Sequence, residues 1–212
     1  MYRAFVSSEG WQRSLAKATM AIPAQSEFAA YGLHDPYAGQ PDARTATVVN
    51  GTIPAVWKPA GLFEIVFEPS SFGNEEGALR VNLNLRGQSE AVEWMQEFDK
   101  WMVAHLTANS AKYLGKALTP EEVQARYLSA IKTNEKYNVQ MIRTKLNLAG
   151  KSKTRLWDSF GKSREEPTRW VGCMVKACLQ LKLYIMPGGR EFGALVECVD
   201  LQVNEPTYDC PF

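Results

Sequence analysis

The sequence predicts a mainly β domain with a helical insertion, and three features of the chain support this class. Alternate residues from Val171 to Ile185 are all apolar, which is typical of a strand that buries one face. Pro187-Gly188-Gly189 then supplies turn residues, and residues 192–203 return as a second strand, so the two runs predict a hairpin. A stretch with helical period at about 88–131 interrupts the other strand-like segments.

Five more segments are predicted to be strands, because they are β-branched or alternate between apolar and polar side chains. Their bounds are 45–49, 62–67, 78–86, 136–148 and 154–158. The segment 78–86 alternates most regularly, with arginine and asparagine side chains expected to face water. The side chains expected to face the core there are Leu79, Val81, Leu83 and Leu85.

Two helices are predicted inside the insertion. The first runs from Ser89 to Leu106, and its aromatic stripe is expected to pack in the core, as is the neighbouring His105. That stripe consists of Trp94, Phe98 and Trp101. The second helix starts at a capping box with proline in the first turn, formed by Thr119, Pro120 and Glu122. Its apolar side is expected to continue through Val123, Tyr127 and Ile131.

Several short strands, a helical insertion and a closing hairpin together predict an OB-like Greek-key barrel. The barrel is expected to span residues 44–203, with the helical insertion at about 88–131. Residues 1–43 are expected to form an N-terminal arm or peripheral layer, and residues 204–212 a C-terminal tail. Because arm and tail are both available for exchange between two copies, a homodimer is an open alternative.

The charge of the chain is unevenly distributed, although its total is only +1. Residues 132–176 carry eleven Lys or Arg against four Asp or Glu, a local excess of +7, which leaves −6 for the rest. Such a basic block favours contact with a polyanion, while a solvated face is the default interpretation of any charge run. No window approaches the length of a membrane span, so no membrane contact is expected.

The cysteines and histidines favour neither a disulfide framework nor a metal site. Cys173 and Cys178 are expected to face opposite sides of one strand, and no two cysteines are spaced as C-x-x-C. Buried reduced thiols in an intracellular, reducing compartment are the simpler interpretation. The sequence also lacks a phosphate-binding glycine loop and the common hydrolase motifs. No metal, no cofactor and no catalytic residue is therefore expected.

Basic and aromatic side chains recur on the predicted outer faces, as a groove for single-stranded nucleic acid requires. Rings stack on bases for about 1–3 kcal/mol each, and cations neutralise phosphates in a salt-dependent way. For any one residue, covering the barrel or simple solvation is the more ordinary role, but the whole set favours binding. Trp157, Trp170 and Tyr184 are predicted to stack, and Arg143, Lys145, Lys153, Arg155, Lys176 and Lys182 to neutralise phosphates.

Short motifs between residues 50 and 203 carry a family resemblance. They include Trp57-Lys58-Pro59, Phe98-Asp99, Trp170-Val171-Gly172, Leu183-Tyr184 and Phe192-Gly193. Together they resemble the OB-fold single-stranded DNA-binding proteins of large DNA viruses, which are similar to the replication single-strand binders of short-tailed phages. The resemblance implies a non-catalytic protein that coats single-stranded DNA during replication, recombination or repair, with little sequence preference.

The end of the chain carries a second resemblance. Asp209-Cys210-Pro211-Phe212 is similar to the acidic tip ending in Pro-Phe by which bacterial single-strand binders recruit partners. This implies that Asp209, Pro211 and Phe212 contact replication proteins. The chain departs from the pattern because only Glu205 and Asp209 are acidic near the tip, and a packed terminal phenylalanine is the alternative.

Two rival functions fit the same sequence. An RNA-binding module would use the same surface, because the distinction between RNA and DNA depends on contacts with the 2′-hydroxyl group. A β-rich structural or virion protein would self-associate and would show no salt-dependent affinity for polyanions. An enzyme would require a convergent polar cluster that the sequence does not show.

Overall fold

The computed structural model describes residues 27–71 and 78–206, most of which belong to strands or helices. The strands are β1 (Tyr31–His34), β2 (Arg44–Asn50), β3 (Ile53–Pro54), β4 (Val56–Trp57), β5 (Phe63–Ile65), β6 (Arg80–Arg86), β7 (Tyr127–Leu128), β8 (Ile131–Asn134), β9 (Val139–Asn147), β10 (Arg155–Trp157), β11 (Met174–Ile185) and β12 (Phe192–Asn204). The α-helices are α1 (Ser89–Leu114) and α2 (Pro120–Arg126).

Five of these strands close into a barrel. β5 pairs with β6, β6 with β9, β9 with β12, β12 with β11, and β11 again with β5. Counted along the chain, the order around the barrel is first, second, third, fifth, fourth, and the third and fifth strands run parallel. This closed Greek-key order is that of the OB fold, so the predicted fold class is confirmed. Both α-helices lie in the connection between the second and third barrel strands.

The hairpin of β11 and β12 holds most of the sheet together. One edge of β11 pairs in turn with β5, β4 and β2, and the outer edge of β12 pairs in turn with β7, β9 and β10. The inward side chains of β11 from Val175 to Ile185 are buried, as their alternation predicts. The register slips by one residue beside Cys178, where Val199 is the extra residue of a β-bulge.

The long strand begins later than the alternation predicts. β11 starts at Met174, because Gly172 adopts a left-handed φ of 88° that turns the chain before the strand. Trp170 precedes this turn and is only 5% exposed. The Glu68 carboxylate accepts the backbone N–H groups of Trp170 and Val171, each at 3.1 Å, which anchors the segment. The predicted position of Trp170 on the outer face is therefore wrong.

The second helix also differs from its prediction at one end. The capping box is present, with Thr119 Oγ1 accepting from the Glu122 N–H at 3.3 Å. However, α2 ends at Arg126, and the expected continuation through Tyr127 and Ile131 is wrong. Tyr127 begins β7, which pairs with β12, and Ile131 begins β8, which pairs with β9. The approach is so close that a methyl group on Gly193 would collide with the Leu128 carbonyl.

Helix α1 supplies the aromatic part of the core, as its stripe predicts. The Trp94 ring stacks on Trp57 with centroids 4.3 Å apart, and Phe98 is fully buried. The helix extends to Leu114, eight residues beyond its predicted end. Leu79 is 67% exposed and not inward as predicted, because it precedes the first residue of β6.

Two predicted segments fall mainly outside the described residues. Most of the arm at 1–43 does so, and its last part contains β1, which pairs antiparallel with β2. The tail residues Asp209, Pro211 and Phe212 also lie outside the described residues. Neither of the helices named above is long and apolar enough to cross a membrane.

Candidate nucleic-acid interface

The outward side chains of β6, β9, β12 and β11 form one polar surface, called the outer face below. Strand pairing sets these side chains in rows across the sheet. One row contains Asn82, Lys145, Glu197 and Gln180, in that order. Asn84 and Arg143 form the next pair along β6 and β9. Lys182 and Tyr184 continue the same face of β11 beyond Gln180, since alternate residues of a strand share a side.

An ion-pair triad lies at the centre of the outer face. Glu197 is only 8% exposed, and its carboxylate accepts a hydrogen bond from Lys182 Nζ at 2.6 Å. The Arg80 guanidinium binds the other carboxylate oxygen. Glu197 therefore neutralises part of the positive charge that the neighbouring strands bring together.

Lys145 lies beside this triad in a positive environment. Its Nζ donates to Asn82 Oδ1 at 2.6 Å. Burial lowers the pKa of Lys145, and the positive charges of Arg80 and Arg143 lower it further. An anion placed on this part of the outer face would oppose both effects, because it would stabilise the ammonium form.

A shallow groove crosses β6, β8 and β9, which places it on the second and third barrel strands. Its lining includes Phe67, Asn82, Asn84, Lys132, Asn134 and Arg143. Burial lowers the pKa of Lys132, and so does the positive charge of Arg143. The rings of Phe67 and Tyr137 lie near each other, 6.5 Å apart, and Tyr137 is exposed. This face and the adjoining loops are where OB folds bind oligonucleotides.

Sequence reasoning did not select Phe67, Lys132 or Tyr137 as site residues. The loop after β5 brings Phe67 to the groove, and the pairing of β8 with β9 brings Lys132 there. Tyr137, in the turn between β8 and β9, lies near the Phe67 ring. The sequence feature that could have indicated this site is Phe67 beside a turn-rich segment. Because such a combination is common in proteins, it predicts a binding site poorly.

The remaining predicted residues lie at the other end of the β11–β12 hairpin. β10 runs parallel to β12 there, so that Trp157 and Lys176 both lie beside Gln202. The Arg155 guanidinium contacts Asp200 at 2.7 Å, and the Trp157 indole N–H donates to the same carboxylate at 2.9 Å. Both side chains are thereby oriented, and Arg155 stays exposed.

A cleft lies between the loop before β10 and the middle of the β11–β12 hairpin. Its lining combines Lys151, Lys153 and Arg155 with the outer-face residues Gln180 and Glu197. Of the predicted site residues, Lys153 and Arg155 line this cleft, Lys145 lies beside its Glu197, and Trp157 and Lys176 lie farther along β12 beside Gln202, whereas Trp170 is buried. Lys182 and Tyr184 lie on the outer face of β11, and burial raises the pKa of the half-buried Tyr184 hydroxyl.

The thiols and carboxylates form no alternative site in the part of the chain that the structure describes. Cys173 precedes β11 and is not on it, and it is buried, as is Cys198. Burial raises the pKa of the Cys198 thiol to about 12, so this sulfur stays protonated. Within residues 27–71 and 78–206, no group of three or more His, Cys, Asp or Glu is arranged to hold a metal ion.

Neither a protein-family model nor a curated protein matches the chain. Among solved structures, gp2.5, a single-stranded DNA-binding protein encoded by bacteriophage T7, is similar with a TM-score of 0.42 and 12% identity, over 79% of this chain and 89% of that one. The single-stranded DNA-binding protein from bacteriophage Enc34, in complex with ssDNA, has a TM-score of 0.44 and 9% identity, over 71% of this chain and 86% of that one. The fold assignment rests on the strand order and register of this chain itself.

Proposed function

We propose that this protein binds single-stranded DNA along the outer face, with little preference for sequence. The main support for the proposal is the groove across β6, β8 and β9, where Lys132 and Arg143 lie among amide side chains. Of the two carboxylates in its lining, Glu68 accepts backbone N–H groups of residues 170 and 171, and Glu135 lies in the turn after β8. This groove is at the usual oligonucleotide position of an OB fold. A second set of basic side chains, called the basic path below, lies on β10, on β11 and in the loop before β10, and consists of Lys153, Arg155 and Lys176.

Each part of the outer face has a role in this binding. Arg143 and Lys145 would neutralise successive phosphates, whereas Lys182, predicted for the same role, is paired with Glu197. An arriving phosphate would oppose the burial and the repulsion that lower the pKa of Lys145. Tyr184 and Trp157 would stack on bases. Since every base has a π-face, stacking of this kind tolerates any sequence.

The narrower predictions belong to the same proposal. We propose that the protein coats single strands during replication, recombination or repair, in an intracellular reducing compartment and without catalysis. The resemblance to single-strand binders of large DNA viruses stays a prediction, as do a homodimer and contacts of Asp209, Pro211 and Phe212 with replication proteins.

The test is a tryptophan-fluorescence titration with a dT oligonucleotide of about 30 nucleotides, long enough for at least one site. Affinity should fall steeply with salt, and Arg143→Ala should reduce the slope of log K against log salt by about 0.7, the value for one phosphate on a single strand. Lys100→Ala, on the solvent side of α1, removes the same charge away from the outer face and should change neither quantity. Absence of binding at low salt would refute the proposal, and stronger competition by a matched RNA would assign the face to RNA.

A further inference from the structure

A tight turn after β10 holds one phenylalanine far out in solvent. Phe160 is 87% exposed, more than any other large apolar side chain in the described part of the chain. It lies at the tip of a small loop whose two sides are joined where Trp157 pairs with Ser163. A large aromatic side chain in a loop usually packs against the rest of the protein, so the exposure of the Phe160 ring is unusual.

The turn that carries Phe160 is extensively hydrogen-bonded. Asp158 Oδ1 accepts the backbone N–H of Phe160 at 2.8 Å and that of Lys162 at 2.9 Å. The Asp158 N–H donates to the Lys162 carbonyl at 2.9 Å. From β12, Gln202 Nε2 donates to the Asp158 carbonyl at 3.1 Å. These bonds preorganise the backbone, so a ligand that contacts the ring has little ordering entropy to overcome.

Gln202 also shows where the turn lies. On β12 it pairs with Lys176 of β11 on one side and with Trp157 of β10 on the other. Because the Gln202 side chain holds the turn from the outer face, Phe160 is carried on the same side as Lys176. The ring thus stands at the end of the basic path described above.

The charges around Phe160 indicate the chemistry of its partner. Lys153, Lys162 and Lys176 take part in no ion pair within the described residues. Two neighbouring carboxylates are engaged, Asp158 by the backbone of the turn and Asp200 by Arg155. Glu165 and Glu166 are exposed and line a cleft with Lys153, on the other side of the Trp157–Ser163 pairing from Phe160. An exposed ring among free ammonium groups fits a nucleic-acid strand, whose bases stack while its phosphates contact the lysines.

We propose that Phe160 is a stacking residue for one base of the bound strand and forms the far end of the binding path. The inference rests on the proposed function. Glu197, beside Lys145, and Gln202 are five residues apart on β12, which corresponds to about 15 Å of strand. A single DNA strand that contacts both Lys145 and Phe160 must therefore place several nucleotides between these two residues.

Four variants test this role by titration with the dT oligonucleotide. Phe160→Ala should weaken binding about 5- to 150-fold, the range for the loss of one base–aromatic stack. Phe160→Leu keeps an apolar side chain without a ring and should weaken binding similarly, whereas Phe160→Trp should retain it and add fluorescence quenching. Ile53→Ala, an exposed apolar residue on the β2–β3 side of the sheet, should bind as the wild type does.

The outcomes separate this inference from the proposed function. Normal binding by Phe160→Ala beside weakened binding by Arg143→Ala would overturn the role of Phe160 alone. Normal binding by Phe160→Leu would show that position 160 makes an apolar contact without stacking, and this result would also overturn the proposed stacking role. Failure of the wild-type protein to bind would overturn both proposals. Because the ring is exposed, unchanged thermal unfolding of Phe160→Ala should show that the variants are folded.

Discussion

Replacing Glu197 by glutamine should have opposite effects on stability and on binding. In the native protein the Glu197 carboxylate holds Lys182 and Arg80 against the outer face. Glutamine has nearly the same shape but no charge, so the substitution leaves two cations without their counter-ion. Stability should fall because the triad loses its centre, and affinity for single-stranded DNA should rise because the same two cations become available to phosphates.

The loss of stability follows from the exposure of the three groups. The Glu197 and Lys182 side chains are 10% and 21% exposed, with 2.6 Å between the bonded atoms, and Arg80 is 42% exposed. Breaking a fully buried pair costs about 3–5 kcal/mol, whereas an exposed pair contributes about 0–1 kcal/mol. Since the cations retain contact with water and glutamine keeps one acceptor oxygen, we expect a loss of about 1–2 kcal/mol. For a chain of this size, that lowers Tm by about 2–8 °C.

The gain in binding follows from the number of cations released. Each phosphate that a protein neutralises on a single strand contributes about −0.7 to the slope of log K against log salt. Two released cations should therefore make the slope of Glu197→Gln steeper by about 0.7–1.4, so that each tenfold reduction in salt raises its affinity over that of the wild type by a further factor of about 5–25.

The assay combines thermal unfolding with fluorescence titration at several salt concentrations. Glu97→Gln is the matched control, because Glu97 pairs with Lys100 at 2.6 Å on α1, away from the outer face. This change should alter stability by less than about 1 kcal/mol and should leave binding unchanged. Weaker binding by a folded Glu197→Gln protein would refute the reasoning, since it would mean that Glu197 positions Lys182 and Arg80 for DNA and does not mask them.

Two further predictions concern buried residues. Because its ring is buried, Trp170→Ala should lower the free energy of unfolding by about 3–5 kcal/mol, measured by chemical denaturation. The folded variant should bind the dT oligonucleotide normally. Weaker binding by the folded variant would show that Trp170 contacts DNA. For Asp99, burial raises the carboxyl pKa above 3.8, although hydrogen bonds from Ser129 and Tyr127 oppose the shift. The folded state then binds the proton more tightly than the unfolded state, so the contribution of Asp99 to stability falls as pH rises through the folded pKa. The Tm of the wild type relative to Asp99→Asn should therefore decrease from about pH 4 upwards, and a pH-independent difference would contradict this.

Local patterns in the chain were sufficient for the class of fold. The alternation after Val171 predicts a strand with one buried face, whichever strands it pairs with. The capping box at Thr119 depends only on residues within one helical turn. The same kind of pattern placed Arg143 and Lys145 outward on β9, where the structure has them. Each of these features depends on residues that are close together in the sequence, so it could be predicted without the tertiary structure.

Positions set by distant contacts were predicted less well. Trp170 follows the alternation, yet it is buried. The chain turns at Gly172, and the backbone N–H of Trp170 donates to the carboxylate of Glu68, some hundred residues away in sequence. Tyr127 fits the helical period of α2, but pairing with β12 takes it into a strand. In both cases a tertiary contact outweighed a local preference, because burial and backbone pairing contribute more than periodicity alone.

By itself, the sequence determined that this protein is mainly β, that basic side chains recur on its outer strand faces, and which lysines and arginines these are. The tertiary structure alone decided which of these charges remain available: it placed Glu197 between Lys182 and Arg80, and it joined β6, β8 and β9 into one groove. It also decided that Phe160, an ordinary loop residue in the sequence, is held in solvent by Asp158 and Gln202. The reason is physical, since the availability of a charge or a ring depends on what lies within a few ångströms of it, and for these residues the neighbours come from other strands.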